Sequence, residues 1–535
     1  MTNKIKFDCG CSFDIDNTQK LSKIVFNVDN INLECNKTWD LFADGNTKGV
    51  FQLESRLGQS MSKKLKPENI EQLSALISIM RPGCLEAIRD GKSVSNHFID
   101  KKNGQESVDY FNSSLEPILK NTYGEMVYQE QAMEIAKDIA GFNLQEADML
   151  RKAIGKKKPE EMAKIKTKFL EGCSKINKVN TDEAEQIFGW IEKSQRYSFN
   201  KSHAVSYAVN AYLSAFTKAH FPTIFFLSYL RLAKDKIKPQ EEILELIINA
   251  KSMDIDVLGP NIIIKNKEFE IRNKKIYFGL TNIKGVGESV FDKLYDLIKD
   301  VDIEKLSWSQ FLIDILIKIN SGAAKALISA GALSCFKLSR NRMLYDYNMI
   351  SELTEKELGF CKMLVDNNKY TNMSKLFSDL LANYKISKPR QQKISSIISQ
   401  IANPAYSLED TPEWISDNER ELLGASITCT KTDAYDASYA NTDCGGIKDF
   451  SVKKQFFIVA EIESVNVIKT KKGKNPGKDM CFLKISDSYG TSDCVVFPEE
   501  FDEFKNMLNP GRVLMFNGQK SAKDQTPVIK KCFVV

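Results

Sequence analysis

The sequence predicts a multidomain protein: a mainly α-helical domain, a second α-rich domain built around a glycine-containing turn, and a C-terminal five-stranded β-barrel. Three observations predict this class. The chain has 535 residues, more than one hydrophobic core normally serves. Apolar residues recur at helical spacing between about Leu65 and Leu232. From Phe456 onward the pattern changes to short β-type runs.

The helical region opens with PENIEQLSALISIM, in which Leu73, Leu76, Ile77 and Met80 share one face, and the Arg81-Pro82-Gly83 turn stops it. A helix over Met126–Phe142 is ended by Gly141, and LQEADMLRKAIG and KKKPEEMAKIKTKFLEGC follow. EAEQIFGWIEKS and a long helix from Ala204 complete the region. Residues 233–345 hold a helix with EEILELIINA, a strand pair around IRNKKIYFGL, and SGAAKALISAGAL, where Gly331 stands as a C-terminal cap. Residues 346–450 have helical patches, and KISKPRQQKISSIISQIANPAYSLEDTPEW is read as a linker. The strands FFIVAEIESVNVI, MCFLKISDS, SDCVVFP, RVLMFNGQ and PVIKKCFVV, with a helical FPEEFDEFKNML before the fourth, match a barrel of oligonucleotide-binding (OB) type over 451–535.

Composition is that of an ordinary globular protein, 42% hydrophobic and 27% charged. The net charge of +5 is too small to argue for a polyanionic partner, so local distribution decides. There is no run of about 18 uncharged apolar residues and no signal-peptide core in MTNKIKFDCGCSFD, which points to a cytoplasmic protein. Twelve scattered cysteines do not form a secreted disulfide framework. Cys9 and Cys11, with Cys35 downstream, are either reduced thiols on an early hairpin or part of a metal site lacking its fourth ligand, the nearest histidine being His97.

Local charge is concentrated. Between Arg151 and Lys168 stand eight basic residues, among them Lys152, Lys156, Lys157 and Lys158, opposed only by Glu160 and Glu161. Such a helix pair either tracks phosphates or is a solvated face. Lys284-Gly285-Val286-Gly287 is either a tight turn or a helix–hairpin–helix, whose backbone N–H groups hold one DNA phosphate. In the first barrel hairpin, Lys471, Lys472 and Lys474 lie among glycines, and Phe482 and Phe497 are either core residues or stacking platforms for bases.

Long segments resemble the C-family replicative polymerases, the alpha subunits of bacterial DNA polymerase III. They include GVFQLESRLGQSM, IMRPGCLEA, TYGEMVYQEQAMEIAKDIAGF, EADMLRKAIGKKKPEEMAKIKTKF, YSFNKSHAVSYAV, YFGLTNIKGVGESV and NERELLGASI, in order. The resemblance implies a fingers domain at 49–232, a helix–hairpin–helix region at 233–345 and the barrel, with 1–48 a palm-proximal extension. It also implies that Lys201 contacts the triphosphate, that His203 donates to it or orients Lys201, and that Ser202 caps the helix. Arg151 and Lys152, on the segment that matches a basic pair of the family, and Arg81 would neutralise triphosphate charge. Gly155 to Lys158 would bind the primer–template backbone. Tyr128, Gln129 and Gln131 either line the cleft or form a packed helix start.

The family's palm, with its three metal-binding aspartates, has no counterpart expected in residues 1–48. Asp14-Ile15-Asp16 and Asp254-Ile255-Asp256 lack a matching third carboxylate. The chain therefore resembles one half of a polymerase split between two genes, as in a phage-type genome. Its partners would be primer–template DNA, dNTPs and a palm-bearing subunit that holds most of the Mg²⁺ coordination, with a sliding clamp as a further candidate. The alternative is a DNA-binding accessory or scaffold protein of the replisome without polymerase chemistry.

Overall fold

The computed structural model describes residues 3–7, 10–16, 23–25, 31–156, 159–194, 198–367, 370, 372–452, 454–470, 476–522 and 525–535. They form two compact units, Met1–Phe225 and Phe226–Val535. No helix among the described residues is long and apolar enough to cross a membrane.

The first unit opens with an antiparallel sheet, β1 (Asn3–Lys6), β2 (Ser12–Asp16) and β3 (Lys23–Val25); Cys11 stands in the hairpin between β1 and β2, and Cys9 lies outside the described residues. The helix α1 (Asn36–Ala43) follows, and then α2 (Ile70–Ile79), capped by the Asn69 side chain on Gln72 N and burying Leu73, Leu76 and Ile77. Arg81-Pro82-Gly83 ends that run and at once starts a short helix, Pro82–Glu86, because proline is tolerated at a first helical position. The helices α3 (Gln129–Ala140), α4 (Leu144–Lys156), α5 (Pro159–Ile176) and α6 (Thr181–Ser194) pack around Ile135, Leu150, Phe169 and Phe188. The last helix of the unit is α7 (Lys201–His220), packed on α1 and α2. It begins three residues before the apolar pattern does, since Asn200 caps it by accepting from His203 N at 2.9 Å. Ser202, expected to be the cap, is instead inside the first turn.

The second unit carries α8 (Pro239–Lys251) and the expected strand pair β4 (Glu270–Arg272) and β5 (Lys275–Tyr277), joined by Asn273 and Lys274 with both φ positive. The helices α9 (Glu288–Ile298) and α10 (Ser321–Ser329) flank the next segment, and Gly331 follows α10 with φ +79°, as the cap pattern predicts. The stretch read as a linker is different. The helix α11 (Met373–Asn383) precedes that stretch, which contains the whole of α12 (Lys388–Ala402), with Ile394, Ile397 and Ile401 buried, and whose last residues open α13 (Pro412–Leu423). Pro389 and Pro412 each occupy a first or second helical position, where proline is tolerated.

The barrel is closed. Its strands β6 (Gln455–Lys469), β7 (Asp479–Asp487), β8 (Gly490–Val496), β9 (Val513–Lys520) and β10 (Pro527–Val534) run in the order β7-β8-β10-β9-β6. Only the β8–β10 pairing is parallel. A short helix, Pro498–Phe504, sits between β8 and β9, where the sequence places it. Glu461 of β6, 2% exposed, accepts both guanidinium arms of Arg420 at 2.8 and 2.6 Å and ties α13 to the barrel. Burial raises the Glu461 carboxyl above its usual range, against the pull of Arg420 and Lys431.

The crossing of α3 and α5 depends on one glycine. A Cβ on Gly172 would stand 2.0 Å from the Ala140 carbonyl oxygen. Alanine gains about 1 kcal/mol of helix propensity, but forcing a methyl against a fixed carbonyl costs about 1–3 kcal/mol. Gly172→Ala is expected to weaken the first unit by up to about 2 kcal/mol on that balance. Hydrogen exchange of the α3 and α5 amides measures this, and unchanged protection would show that the helices are not so close.

Candidate nucleotide- and DNA-binding site

The site in the first unit is organised by a short parallel pairing. Phe199 N donates to Val127 O, and Gln129 N donates to Phe199 O, each at 3.0 Å, which brings the start of α7 beside the start of α3. Residues seventy apart in sequence thereby share one surface. The Arg81 guanidinium lies 3.6 Å from the centroid of the Phe199 ring. The His203 ring meets the same phenyl edge-on at 5.3 Å and packs on Tyr207 at 4.0 Å. Lys201 Nζ is 5.7 Å from the centroid of the Tyr128 ring. Tyr128 is buried, and burial raises its phenol well above the usual value, so it stays neutral. Phe51, against Tyr207 at 5.1 Å, extends the aromatic surface.

Three of the expected residues, Arg81, Lys201 and His203, thus converge on one pair of aromatic rings. Arg81 and His203 are exposed and Lys201 half-buried, while Phe199 is half-buried and Tyr128 buried beneath them. A cation held on a ring face at an exposed site gains about 0.5–1 kcal/mol, enough to bias a rotamer without fixing it.

Two backbone N–H groups at the start of α7 are already capped by side chains. Lys201 N donates to Glu130 Oε2 at 2.9 Å, and Asn200 Nδ2 donates to Glu130 Oε1 at 2.8 Å. With His203 N taken by Asn200, an anion at this place meets side chains, not the two capped amides. Gln131 answers the question about YQEQ. It is buried, its Oε1 accepts from Val127 N and Tyr128 N, and its amide donates to Thr122 Oγ1 at 2.7 Å. It is therefore part of a packed helix start. Gln129, half-buried, only reaches Ser198 O at 3.4 Å.

Arg151 and Lys152 lie on α4 and share one carboxylate. Arg151 donates to Asp148 Oδ1 at 2.9 and 2.8 Å, and Lys152 Nζ is 2.6 Å from Asp148 Oδ2. The Lys152 ammonium, then the Arg151 guanidinium, hold the Asp148 carboxyl below the usual range. Lys156 ends α4, and Lys157 and Lys158 lie outside the described residues.

In the second unit, Gly285 has φ +94°, a backbone state that favours glycine, and Gly287 caps α9. The element before the turn is a single 3-10 turn, Leu280–Asn282. Lys284 N donates to Leu422 O, and its ammonium is 3.5 Å from Glu421 in an exposed ion pair. On the barrel, Phe482 and Phe497 are 44% and 43% exposed, which removes them from the core. Lys471, Lys472 and Lys474 lie outside the described residues.

Among the described residues, carboxylates suited to Mg²⁺ do not gather. Asp256 is paired with Lys275 at 2.8 Å, and the side chains of Asp14 and Asp16 lie outside the description. Among the described residues, the group whose ligand atoms approach closely enough to share an ion is Cys11, Cys35 and His220. The described residues thus bring together no set of carboxylates that fits a catalytic Mg²⁺ centre. His97, the nearest histidine in sequence, is engaged elsewhere, with Glu106 at 2.8 Å and Arg89 O at 2.8 Å.

Three family descriptions match in chain order. Residues 14–177 match the "Bacterial DNA polymerase III alpha subunit finger domain", 254–343 a "Helix-hairpin-helix motif", and 458–530 an "OB-fold nucleic acid binding domain". The DNA polymerase III alpha subunit of Aquifex aeolicus is 32% identical over 93% of this chain, and that of Bacillus subtilis 31% over 94%. The chain is a homologue of the bacterial DNA polymerase III alpha subunit. It spans 38% of the Aquifex subunit, 41% of the Bacillus subunit and 42% of the Pseudomonas aeruginosa subunit, to which it is 31% identical. The polymerase III alpha match explains why the residues around Phe199 were found by motif. Phe199 and Glu130 themselves were not singled out, although both lie inside or beside the quoted segments.

Replacing Glu130 removes a charged acceptor at the start of a twenty-residue helix. Glu130→Ala is expected to cost about 1 kcal/mol, the scale of a lost cap and dipole contact. A denaturant midpoint shift for the first unit measures it, and an unchanged midpoint would mean the carboxylate does not hold the α7 start.

Proposed function

We propose that this chain is the nucleotide- and DNA-binding component of a replicative DNA-directed DNA polymerase, with the metal-binding aspartates supplied by a separate palm-bearing subunit. The observation that carries the reading is the convergence of Arg81, Lys201 and His203 on the Phe199–Tyr128 platform. It sits in a chain whose relatives are named DNA polymerase III alpha subunits.

In this reading Lys201 and Arg81 bind the triphosphate of an incoming dNTP, and His203 donates to it or steers Lys201. Arg151 and Lys152 supply further positive charge, with Asp148 giving them up in exchange for phosphate. Lysine at 152 keeps a point charge without the bidentate fork of arginine. Lys156, Lys157 and Lys158 bind primer–template backbone, and Lys284, Gly285 and Gly287 bind DNA backbone as well. The first barrel hairpin, with Lys471, Lys472 and Lys474, tracks a single strand, and Phe482 stacks on a base. The working divisions are 1–48, 49–232, 233–345, 346–450 and 451–535. Mg²⁺ supplies the charge that activates a primer hydroxyl and steadies pyrophosphate, and the palm holds it. A sliding clamp is a further partner, and the reaction takes place in the cytoplasm of a bacterium or phage-infected host.

Primer extension tests this, with Mg²⁺ and dNTPs, on the chain alone and together with a palm polypeptide from a homologous alpha subunit. Extension is expected with the palm. Lys201→Ala is expected to lower kcat/KM roughly 10- to 100-fold, the scale of a charge-assisted hydrogen bond of about 1.5–3 kcal/mol. DNA binding without extension in either mixture would favour the accessory-protein alternative. Extension by the chain alone would place a metal centre within it.

The barrel is tested separately. Phe482→Ala is expected to weaken oligonucleotide binding by about 1–3 kcal/mol, the worth of one stacked base, with the salt dependence unchanged. A change in salt slope with no loss at fixed salt would assign Phe482 no stacking role.

A further inference from the structure

Away from the nucleotide surface, the first unit brings together three side chains that the polymerase reading does not use. Cys11 follows the β1–β2 turn, Cys35 stands at the N-terminal cap of α1, and His220 is the last residue of α7. All three are buried, and their ligand atoms lie within 4.8 Å of one another. Cys35 Sγ is 3.3 Å from His220 Nε2.

We propose that Cys11, Cys35 and His220 form a structural metal site for Zn²⁺. Tetrahedral zinc with sulfur and imidazole ligands has ligand-to-ligand edges of about 3.5–3.8 Å, from Zn–S of about 2.3 Å and Zn–N of about 2.0–2.1 Å. The Cys35–His220 separation of 3.3 Å is near those edges and the other separations do not exceed 4.8 Å, so small shifts would place the three ligand atoms on three corners of a tetrahedron, with the fourth left to a water. Charge also balances. Two thiolates and a neutral imidazole cancel the dication, which makes the complex tolerable in an apolar pocket where an unpaired ion would not be. The imidazole is held in place by rings, Phe7 at 4.7 Å and Phe216 at 4.3 Å. Soft sulfur donors with one imidazole select zinc over the hard Mg²⁺ of nucleotidyl transfer.

The ion would join segments far apart in sequence. It ties the N-terminal hairpin and the start of α1 to the far end of α7, the helix whose first turn carries Lys201 and His203. Its role is to fix that helix along its length, and it needs no part in the reaction.

The full chain, produced in zinc-supplemented medium and purified without chelator, is expected to carry about one zinc per polypeptide by elemental analysis. Exchange of Zn²⁺ for Co²⁺ is expected to give intense visible ligand-field bands and a near-ultraviolet thiolate charge-transfer band. Cys35→Ser and His220→Gln should each lose the ion, whereas Cys335→Ser should keep it. The proposal fails if the wild-type protein, folded by circular dichroism, holds no stoichiometric zinc. It fails equally if the cobalt form lacks the thiolate band, or if Cys35→Ser retains full metal. Should the variants misfold, the wild-type cobalt spectrum alone decides. Primer extension is not the readout, so a failed polymerase reading leaves this result standing.

Discussion

The parallel contact between Val127–Gln129 and Phe199 is the constraint on which the candidate site depends. Its two hydrogen bonds join chain segments separated by the whole of α3 to α6. Closing a loop of that length costs conformational entropy, but the cost grows only with the logarithm of length. The helices in between meet it by burying Ile135, Leu150, Phe169 and Phe188 in one core. Once the pairing is made, Phe199 has no choice of neighbours. Arg81 arrives on one face from the end of α2, and His203 follows one helical turn later on α7. The cationic residues are therefore positioned by a backbone ladder and a core, and the aromatic ring is the meeting point.

The second unit uses a different device. There the barrel is linked to its neighbouring helix by a buried carboxylate, Glu461, held by Arg420 and approached by Lys431 at 3.4 Å. A second buried pair, Arg340 with Glu419 at 2.7 Å, joins α13 to the helix Arg340–Ile350. Such pairs are not strong sources of net stability, because desolvation offsets much of their attraction. Their consequence is geometric, since an unpaired partner would be left charged in the interior. They define how α13 lies on its surroundings, and with it Leu422 and Glu421, the two residues that Lys284 meets.

Much of this was legible in the sequence, for reasons particular to each element. The helices α2 to α7 follow from apolar spacing, and Gly141 after α3 and Gly331 after α10 mark helix ends because each has a positive φ. The barrel was legible because five strands and one helix occur in a fixed order. The segment around Lys388 was not. Its prolines look like breakers when position within a helix is unknown, and burial of Ile394, Ile397 and Ile401 overrides that signal. Arg81, Lys201 and His203 were found by motif, but their common platform was invisible, because Phe199 meets Tyr128 only through the fold. For the same reason the histidine beside Cys11 and Cys35 was sought at His97 and stands at His220. Linear distance decided the first choice, and packing decided the second.

A feature shared by both units bears on how a chain of net charge +5 handles a polyanion. Cations with proposed phosphate roles are already matched with acidic groups: Arg151 and Lys152 with Asp148, and Lys284 with Glu421. The amide of Lys201 is matched in the same way with Glu130. Exposed pairs of this kind are worth only about 0–1 kcal/mol, so a phosphate can replace the carboxylate at little cost. The pairing nevertheless limits where each cation can point before DNA or nucleotide arrives, and it suppresses contact with polyanions that cannot make several exchanges together. It also alters the ionic response. A released carboxylate recruits a cation of its own, which offsets part of the counterion release from the nucleic acid. On the proposed function, the salt dependence of binding is therefore shallower than the number of phosphate contacts alone would give. Lysines without an acidic neighbour would account for most of the slope that remains.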